Sequence, residues 1–432
     1  MALSIYKLAG AGQALGMFQR HGHLVVIALP PSRPCMNNAT PRTPLTPLNA
    51  PLTRLFERLM RDMDHRESPE WDAQDSRLDP AVYCDPAILE REKSQIFRRL
   101  PLCLGHADQL REPGSVLARD LLGLPLLLTR DRHGEIHVLL NVCRHRGARM
   151  IAGEGEVCRH SGLSCPYHAW TYELNGTLRA VPKAEAFPTL NLATHGLRRL
   201  PSQVRHGLIW AILDPAQTAI DVPAFLGGID DDLSGFGFEN HHVFRQHARR
   251  RTTNWKLMMD AFQETYHIKR LHAPTIAPFF PDINPAGEGV GLHTRILVAR
   301  DRLPEALALP PTQWDLRQHA TLTHAIFPNS LLIYHPDATS HMGMFPISPG
   351  EILFVHTLFT PHAPRDEKET AHWERTFAMI DGGVFGAEDL YISEQIQLGV
   401  ASGANEQLVF GRQEHHLRRF HANVARLCRG AD

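Results

Sequence analysis

The sequence predicts an α+β protein in which an all-β module is inserted ahead of a larger domain that mixes antiparallel sheet with helices. Three observations carry this. From about residue 100 to 215, short apolar runs alternate with turn residues such as His133-Gly134, Asn175-Gly176 and Asp214-Pro215. From about 216 onward, strand-like runs mix with longer segments of helical period. The chain, at 432 residues, is also far longer than one such module needs and has room for two or three domains with a real core. The expected division is an N-terminal arm with helices over 1–80, the β module over 81–215 and the mixed domain over 216–432.

Taken in order, the first 35 residues are poorly patterned. Lys7 and Arg20 precede an apolar run, Leu24 to Leu29, that Pro30 and Pro31 close. The run is shorter than the ~7–15 residues of a secretory h-region, so it reads as an imitation of a leader. Met36 opens more conventional sequence and stands beside Met1 as an alternative start, leaving 1–35 untranslated or disordered. Pro41, Pro44, Pro47 and Pro51 predict a loop or arm. Leu55, Phe56, Leu59 and Met63 then recur at helical spacing, predicting a helix over Leu52 to Met63, and 86–99 reads as a second short helix. Strands are predicted at Leu126 to Thr129, Ile136 to Val142, Trp170 to Leu174 and Gly207 to Leu213, and later at Leu331 to Tyr334 and Leu353 to Thr360. Helical segments are predicted at 254–272 and 386–428.

With 45 Lys+Arg against 46 Asp+Glu, the net charge of −1 argues against nucleic acid or an anionic membrane as partner. No run approaches the ~20 apolar residues of a membrane helix, and a cytoplasmic protein is expected. Seven cysteines against 27 histidines are too few for a disulfide scaffold and fit a reducing compartment with thiols free for metals. Cys35, Cys84, Cys103 and Cys428 show no paired spacing and read as buried thiols. His241-His242 and His415-His416 read as surface residues, and Arg249-Arg250-Arg251 as a solvated strand edge. Gly287-Glu-Gly289-Val-Gly291 follows no strand–helix unit, so no dinucleotide fingerprint is present and electrons for any redox reaction must come from a partner.

Two constellations carry chemistry. Cys143-Arg144-His145 and Cys165-Pro166-Tyr167-His168 each offer a thiolate and an imidazole within one turn of chain. If they converge, they make a four-ligand site for a soft metal, either zinc or a [2Fe–2S] cluster with two histidines on one iron. The second constellation is the pair His267 and His272. Five residues rotate about 140° on an ideal helix, so both histidines can hold one metal only if the helix ends or distorts between them. Glu264, three residues before His267, is expected on the same helical face.

The first set, Cys143-Arg-His-Arg-Gly-Ala with Cys165-Pro-Tyr-His-Ala-Trp-Thr-Tyr and Leu174-Asn-Gly-Thr-Leu, resembles the cluster segment of Rieske proteins, specifically the oxygenase type. Tyr167 stands where the respiratory type carries a disulfide cysteine. The 19 residues between His145 and Cys165 are slightly more than usual, and Cys158 among them matches no ligand. Asn254-Trp-Lys with Glu264 and Tyr266-His267 resembles the iron-site helix of ring-hydroxylating oxygenase α subunits. Glu388-Asp389-Leu-Tyr-Ile-Ser-Glu394 resembles the segment that brings the third ligand.

The resemblance implies a helix-grip-like catalytic domain behind the Rieske domain. One [2Fe–2S] cluster would be held by Cys143, His145, Cys165 and His168, and one Fe(II) by His267, His272 and Asp389, with Glu388 as the rival carboxylate. Glu264 would join His267 to His168 of a neighbouring subunit, and Asp260, a weaker candidate, would support the site. Many relatives carry Asn where Ala261 stands. Electrons would come from NAD(P)H through a ferredoxin or flavin reductase, and O2 and an apolar aromatic or alicyclic molecule would be the substrates. A homotrimer, with or without β subunits, is implied. The rivals are an electron-transfer Rieske protein without oxygenase activity and a zinc-stabilised binding module.

Overall fold

The computed structural model describes residues 15–20, 23–28, 48–153 and 155–430. Residues 1–45 form a unit of their own, in which Leu15–Arg20 pairs antiparallel with His23–Ala28. The alternative start at Met36, Cys35 and the proline arm up to Pro47 lie outside the described residues.

Residues 46–432 form the second compact unit. It opens with the helix Ala50–Arg61, which starts where the Asn49 side chain accepts from the Leu52 N–H and buries Leu52, Leu55, Phe56 and Leu59. The helix Pro86–Glu92 follows, continued by a wide turn over Lys93–Phe97. The β module consists of three small antiparallel sheets. One runs Ile136–Leu140, Leu124–Arg130, Ser115–Leu121, Val157–Arg159; a second Ser202–Arg205, Leu208–Ala211, Leu102–His106; a third Leu178–Ala180, Thr171–Tyr172, Leu163–Ser164.

Seven antiparallel strands then form the main sheet, in the order His242–Arg251, Glu351–Thr360, Thr339–Ser348, Ser330–Tyr334, Ala320–Ile326, His293–Ala299, Ala286–Val290. One face carries Leu297, Leu322, Leu332 and Phe359 against the Ala50–Arg61 helix; the other carries Ala325, Ile333, Met342 and Phe354 against Trp255, Met258, Phe385 and Phe420 from the helices. Alternation along each strand separates the two cores.

Two expected helices are interrupted. Over 254–272 the chain is helical only at Trp255–Ala261 and Ile268–Leu271. Over 386–428, Leu390–Ala401 and His415–Arg429 flank the short strand Leu408–Phe410. Ahead of Leu390 the helix winds as a π-helix over Ala378–Asp389. A Cβ at Gly386 would stand 2.9 Å from the Asp381 carbonyl, so the wide turn requires glycine there.

The Asn254-Trp255-Lys256 triplet latches the first helix in place. Asn254 caps it and donates to the carbonyls of Tyr83 (3.0 Å) and Pro349 (2.7 Å). Trp255 Nε1 (2.8 Å) and Lys256 Nζ (2.5 Å) both donate to Glu92, whose carboxylate and the lysine are fully buried. The arginine run is an edge strand, as expected, but it is ion-paired: Arg249 to Asp381, Arg250 to Glu351 and Arg251 to Glu394. Cys103 is buried, whereas Cys84 and Cys428 are half-buried and Cys158 is exposed. The expectation of surface histidines fails for His416, which is buried, while His241, His242 and His415 are half-buried. Among the described residues, no helix is long and apolar enough to cross a membrane.

Removing only the lysine of the buried pair strands a carboxylate. Lys256→Met is expected to cost about 3–5 kcal/mol, and Lys256→Met with Glu92→Leu much less, as read by the thermal midpoints of single and double variants. Burial also pushes His341 and His416 down to about 3 and His293 to about 4. Between those values and an ordinary histidine value near 6.5, the unfolded chain binds more protons than the folded one. Stability is therefore expected to fall as pH drops from about 6.5 toward 4, each such histidine contributing up to about 1.4 kcal/mol per pH unit. His341→Gln should flatten the dependence in pH-stepped unfolding.

Candidate metal centres

The two cysteine–histidine loops fold alike. Cys143 N–H donates to the Ala148 carbonyl and Gly147 N–H back to the Cys143 carbonyl; Cys165 N–H donates to Trp170 and Ala169 N–H back to Cys165. The residue four after each cysteine takes positive φ, +79° at Gly147 and +57° at Ala169, which turns each loop sharply enough to bring cysteine and histidine to one end. Both thiols are buried, and the rings of His145 and His168 lie 4.7 Å apart. His145 stacks on buried Trp170 at 4.9 Å with Phe187 at its edge, while His168 lies beside exposed Tyr167. Tyr172 contacts Cys143 Sγ through its hydroxyl at 3.4 Å and accepts from the Arg144 N–H.

This donor set fits a [2Fe–2S] cluster with two thiolate and two imidazole ligands. His145 Nδ1 is buried without a hydrogen-bond partner among the described residues, as an unliganded donor would be.

The second centre depends on the helix break. After Ala261 the chain leaves the helix, and Glu264 sits in the irregular stretch rather than on a helical face. Its carboxylate instead caps the next turn, accepting from the Tyr266 and His267 N–H groups, and hydrogen-bonds His267 Nδ1. The expected Glu264–His267 contact thus forms for a different physical reason. Released from helical geometry, the His267 and His272 rings meet 5.1 Å apart.

Asp389, at the end of the π-helix, supplies the third group. Its Oδ1 is 3.2 Å from His272 Nε2 and 3.8 Å from His267 Nε2. Glu388 takes the opposite side of the His272 ring, accepting from Nδ1 at 2.7 Å and from Thr275 Oγ1 at 2.7 Å. Of the two rival carboxylates, Asp389 is therefore the one facing both histidines. Ligand atoms of His267, His272 and Asp389 all lie within 4.8 Å of one another. Asp389 is fully buried, and neither of its oxygens has a hydrogen-bond partner among the described residues. A buried carboxylate left so is costly unless a cation completes it, and the set fits a two-histidine, one-carboxylate site for Fe(II).

Burial alone would push both imidazoles down. At His267 that effect is the largest single one, but the hydrogen bond to Glu264 and the charges of Glu264 and Asp389 together exceed it and the group is raised; at His272 the Asp389 and Glu388 carboxylates lift it to about 9. Asp260 is not part of this convergence: it accepts from Tyr83 Oη at 2.6 Å and lies 3.0 Å from His421 Nε2, tying the first helix to the N-terminal and C-terminal segments. Ala261 is simply the last helical residue. Sequence reasoning missed the supporting parts Thr275 and Glu92, and quoted Trp170 in the cluster motif without giving it a role. None carries a local signal, because each acts through a residue distant in the chain or on the far side of a loop.

Two family models match the chain: a Rieske [2Fe-2S] domain over residues 101–195 and a ring hydroxylating alpha subunit (catalytic domain) over residues 238–430. The glycine betaine monooxygenase oxygenase subunit of Pseudomonas aeruginosa is 31% identical over 215 residues, 50% of this chain and 47% of that protein. The chain thus aligns with about half the length of that relative. The biphenyl 2,3-dioxygenase subunit alpha of Rhodococcus jostii is 27% identical over 74% of this chain and 76% of its own. Among solved structures, the quaternary ammonium Rieske monooxygenase CntA in complex with L-carnitine superposes with a TM-score of 0.69 at 19% identity, over 83% of this chain and 97% of that one.

Asp389→Ala is expected to lower iron from about three to about two atoms per chain while leaving the visible absorption of the cluster unchanged. Unchanged iron content would show that Asp389 is not a ligand.

Proposed function

From the premise that the chain belongs to the ring-hydroxylating oxygenase α-subunit family, with a Rieske [2Fe–2S] domain ahead of its catalytic domain, we propose that it is a terminal oxygenase. The division at about residue 215 separates the cluster-bearing part from the iron-bearing part. In this reading Cys143, His145, Cys165 and His168 hold the cluster, and His267, His272 and Asp389 hold the iron. The observation that carries it is the fully buried Asp389 carboxylate, which has no aligned hydrogen bond among the described residues and faces the Nε2 atoms of two imidazoles whose far nitrogens are already engaged.

When bound, the cluster and the iron supply electron transfer and O2 activation. The chain's own residues prepare the site. Glu264 and Glu388 accept from the two Nδ1–H groups, which holds those protons in place, so that a metal bound at the Nε2 atoms would displace only protons on that side of the rings. Phe262 and Phe385, which lie five and four residues before His267 and Asp389, meet edge to face at 5.6 Å and join the two ligand-bearing segments through an apolar contact. The reacting end of the site suits an apolar group: an aromatic or alicyclic ring, as the name of the biphenyl dioxygenase relative indicates for that protein, or the methylated head of a quaternary ammonium compound, as the names of the other two indicate for theirs. The reaction is hydroxylation by one or two oxygen atoms, or oxidative dealkylation.

Glu264 serves a second purpose here. Beside it Tyr266 is 76% exposed, so this corner of the chain is open to another subunit. We assign it to docking of a second copy, with Glu264 linking His267 to His168 of the partner subunit in a homotrimer, with or without small β subunits. Electrons arrive from NAD(P)H through a ferredoxin or flavin reductase. An electron carrier without oxygenase activity would have no use for the Asp389 site, which disfavours that alternative.

Glu264→Gln is expected to keep the iron content and the cluster spectrum while substrate-dependent oxygen uptake falls about 10–100-fold or more. Full activity in this variant would rule out the link.

A further inference from the structure

Directly opposed residues in an antiparallel sheet point to the same side. The pairs Val298↔Thr321, Thr323↔Ile333 and Ile333↔Ser340, together with Ala325↔Leu331, Leu331↔Met342 and Met342↔His356, therefore define one face of the main sheet. His356 packs against Phe385 at 5.0 Å, so this face looks toward the helix that carries Asp389. Arg300 continues it, one residue beyond the strand His293–Ala299, and donates to Thr321 Oγ1 at 3.2 Å.

The chain that leaves His272 returns to the same place. Asp301 N–H donates to the Phe279 carbonyl at 2.9 Å, and the Arg300 guanidinium lies 5.5 Å over the Phe280 ring. The stretch 272–280 thus forms a wall running from the metal ligands at one end to Arg300 at the other. Arg300 is half-buried, and no carboxylate pairs with it among the described residues. By contrast, the neighbouring Arg302 is held by Glu305, and the buried Arg295 by Asp232 and Glu288. His335, close enough to feel the Arg300 charge, is kept neutral by burial, which holds it near 3. The far end of the wall therefore presents a guanidinium and a hydroxyl with no carboxylate hydrogen-bonded to either among the described residues; the adjacent Asp301 acts on the charge without pairing with it, and Arg302 opposes it. A partly desolvated guanidinium is unfavourable unless an anion completes it, and its planar fork suits a carboxylate.

We propose that Arg300, with Thr321, binds a carboxylate of the substrate and so fixes which end of the molecule faces the iron. The inference rests on the oxygenase reading above and deepens it. The substrate is an organic anion with an apolar or methylated end, and Arg300 determines specificity without taking part in the reaction itself.

Matched ligand pairs test this on the metal-loaded protein: glycine betaine against choline, benzoate against benzamide, and cyclohexanecarboxylate against its amide. Binding is followed by the concentration-dependent rise in thermal midpoint. At least one carboxylate is expected to bind better than its partner. Arg300→Met should weaken that carboxylate about 30-fold or more, with part of the loss recovered in Arg300→Lys. If Arg300→Met lowers the ligand-free midpoint, Arg300→Lys and Arg300→Gln are compared instead, and the carboxylate must still prefer the lysine. No preference in any pair, or undiminished carboxylate binding without the arginine, overturns the proposal. Either result leaves the oxygenase reading intact if oxygen uptake still requires Asp389; uptake that persists in Asp389→Ala would overturn that reading instead.

Discussion

Each of the two histidines of the candidate iron site is gripped from behind by a glutamate, and much of the second half of the chain is arranged so that this can happen. Glu264 holds His267 at Nδ1 and Glu388 holds His272 at Nδ1, which turns both Nε2 atoms toward Asp389. The carboxylate they face has no donor of its own among the described residues. Such a constellation is stable without its metal only if the segments carrying it cannot relax, since the simplest relief would be to let the carboxylate escape to water.

Rigidity comes from two latches. The Asn254-Trp255-Lys256 triplet fastens the first helix to Glu92, Tyr83 and Pro349, and Asp260 adds Tyr83 and His421 at its other end. On the opposite side, Asp381 accepts from His247, His356 and Arg249, fastening the π-helix to the sheet eight residues before Asp389. The ligands from 267–272 and from 389 are thus brought together by elements clamped differently, the first helix mainly to the segments of Tyr83, Glu92 and His421 and the π-helix to the sheet. Half of the π-helix's buried residues are acidic (Asp381, Glu388, Asp389), and each has a distinct partner set. The wide turn lets neighbouring carboxylates face different ways.

The abundance of histidine has a related explanation. Beyond the candidate ligands, histidines serve as compact hydrogen-bonding groups inside the protein. His324 links Tyr334 to Asp232, His106 caps a turn and reaches the Phe238 carbonyl, and His293 joins Phe225 to Phe327. Imidazole can donate at one nitrogen and accept at the other without carrying charge, which suits a buried junction between strands. The raw count of 27 was therefore a poor guide to metal sites.

The sequence by itself determined whatever is local. The two cysteine–histidine loops, the strand–turn rhythm of the β module and the acid–histidine grouping around 264–272 are all legible, because ligands within a turn of chain are constrained by short-range geometry. It also identified Glu388 and Asp389 as rivals, but adjacent residues differ only in direction, and direction was set by the π-helix and its clamp to Asp381. The same holds for the helix break after Ala261: the spacing of the histidines required some distortion, and packing decided where it falls. Asp260 and Glu264, one helical turn apart in sequence, ended up with unrelated partners because the break lies between them. Arg300 carries no local signal at all. Its meaning depends on which face of a seven-stranded sheet it extends and on the absence of an acid paired with it among the described residues, and both are properties of strand register and packing.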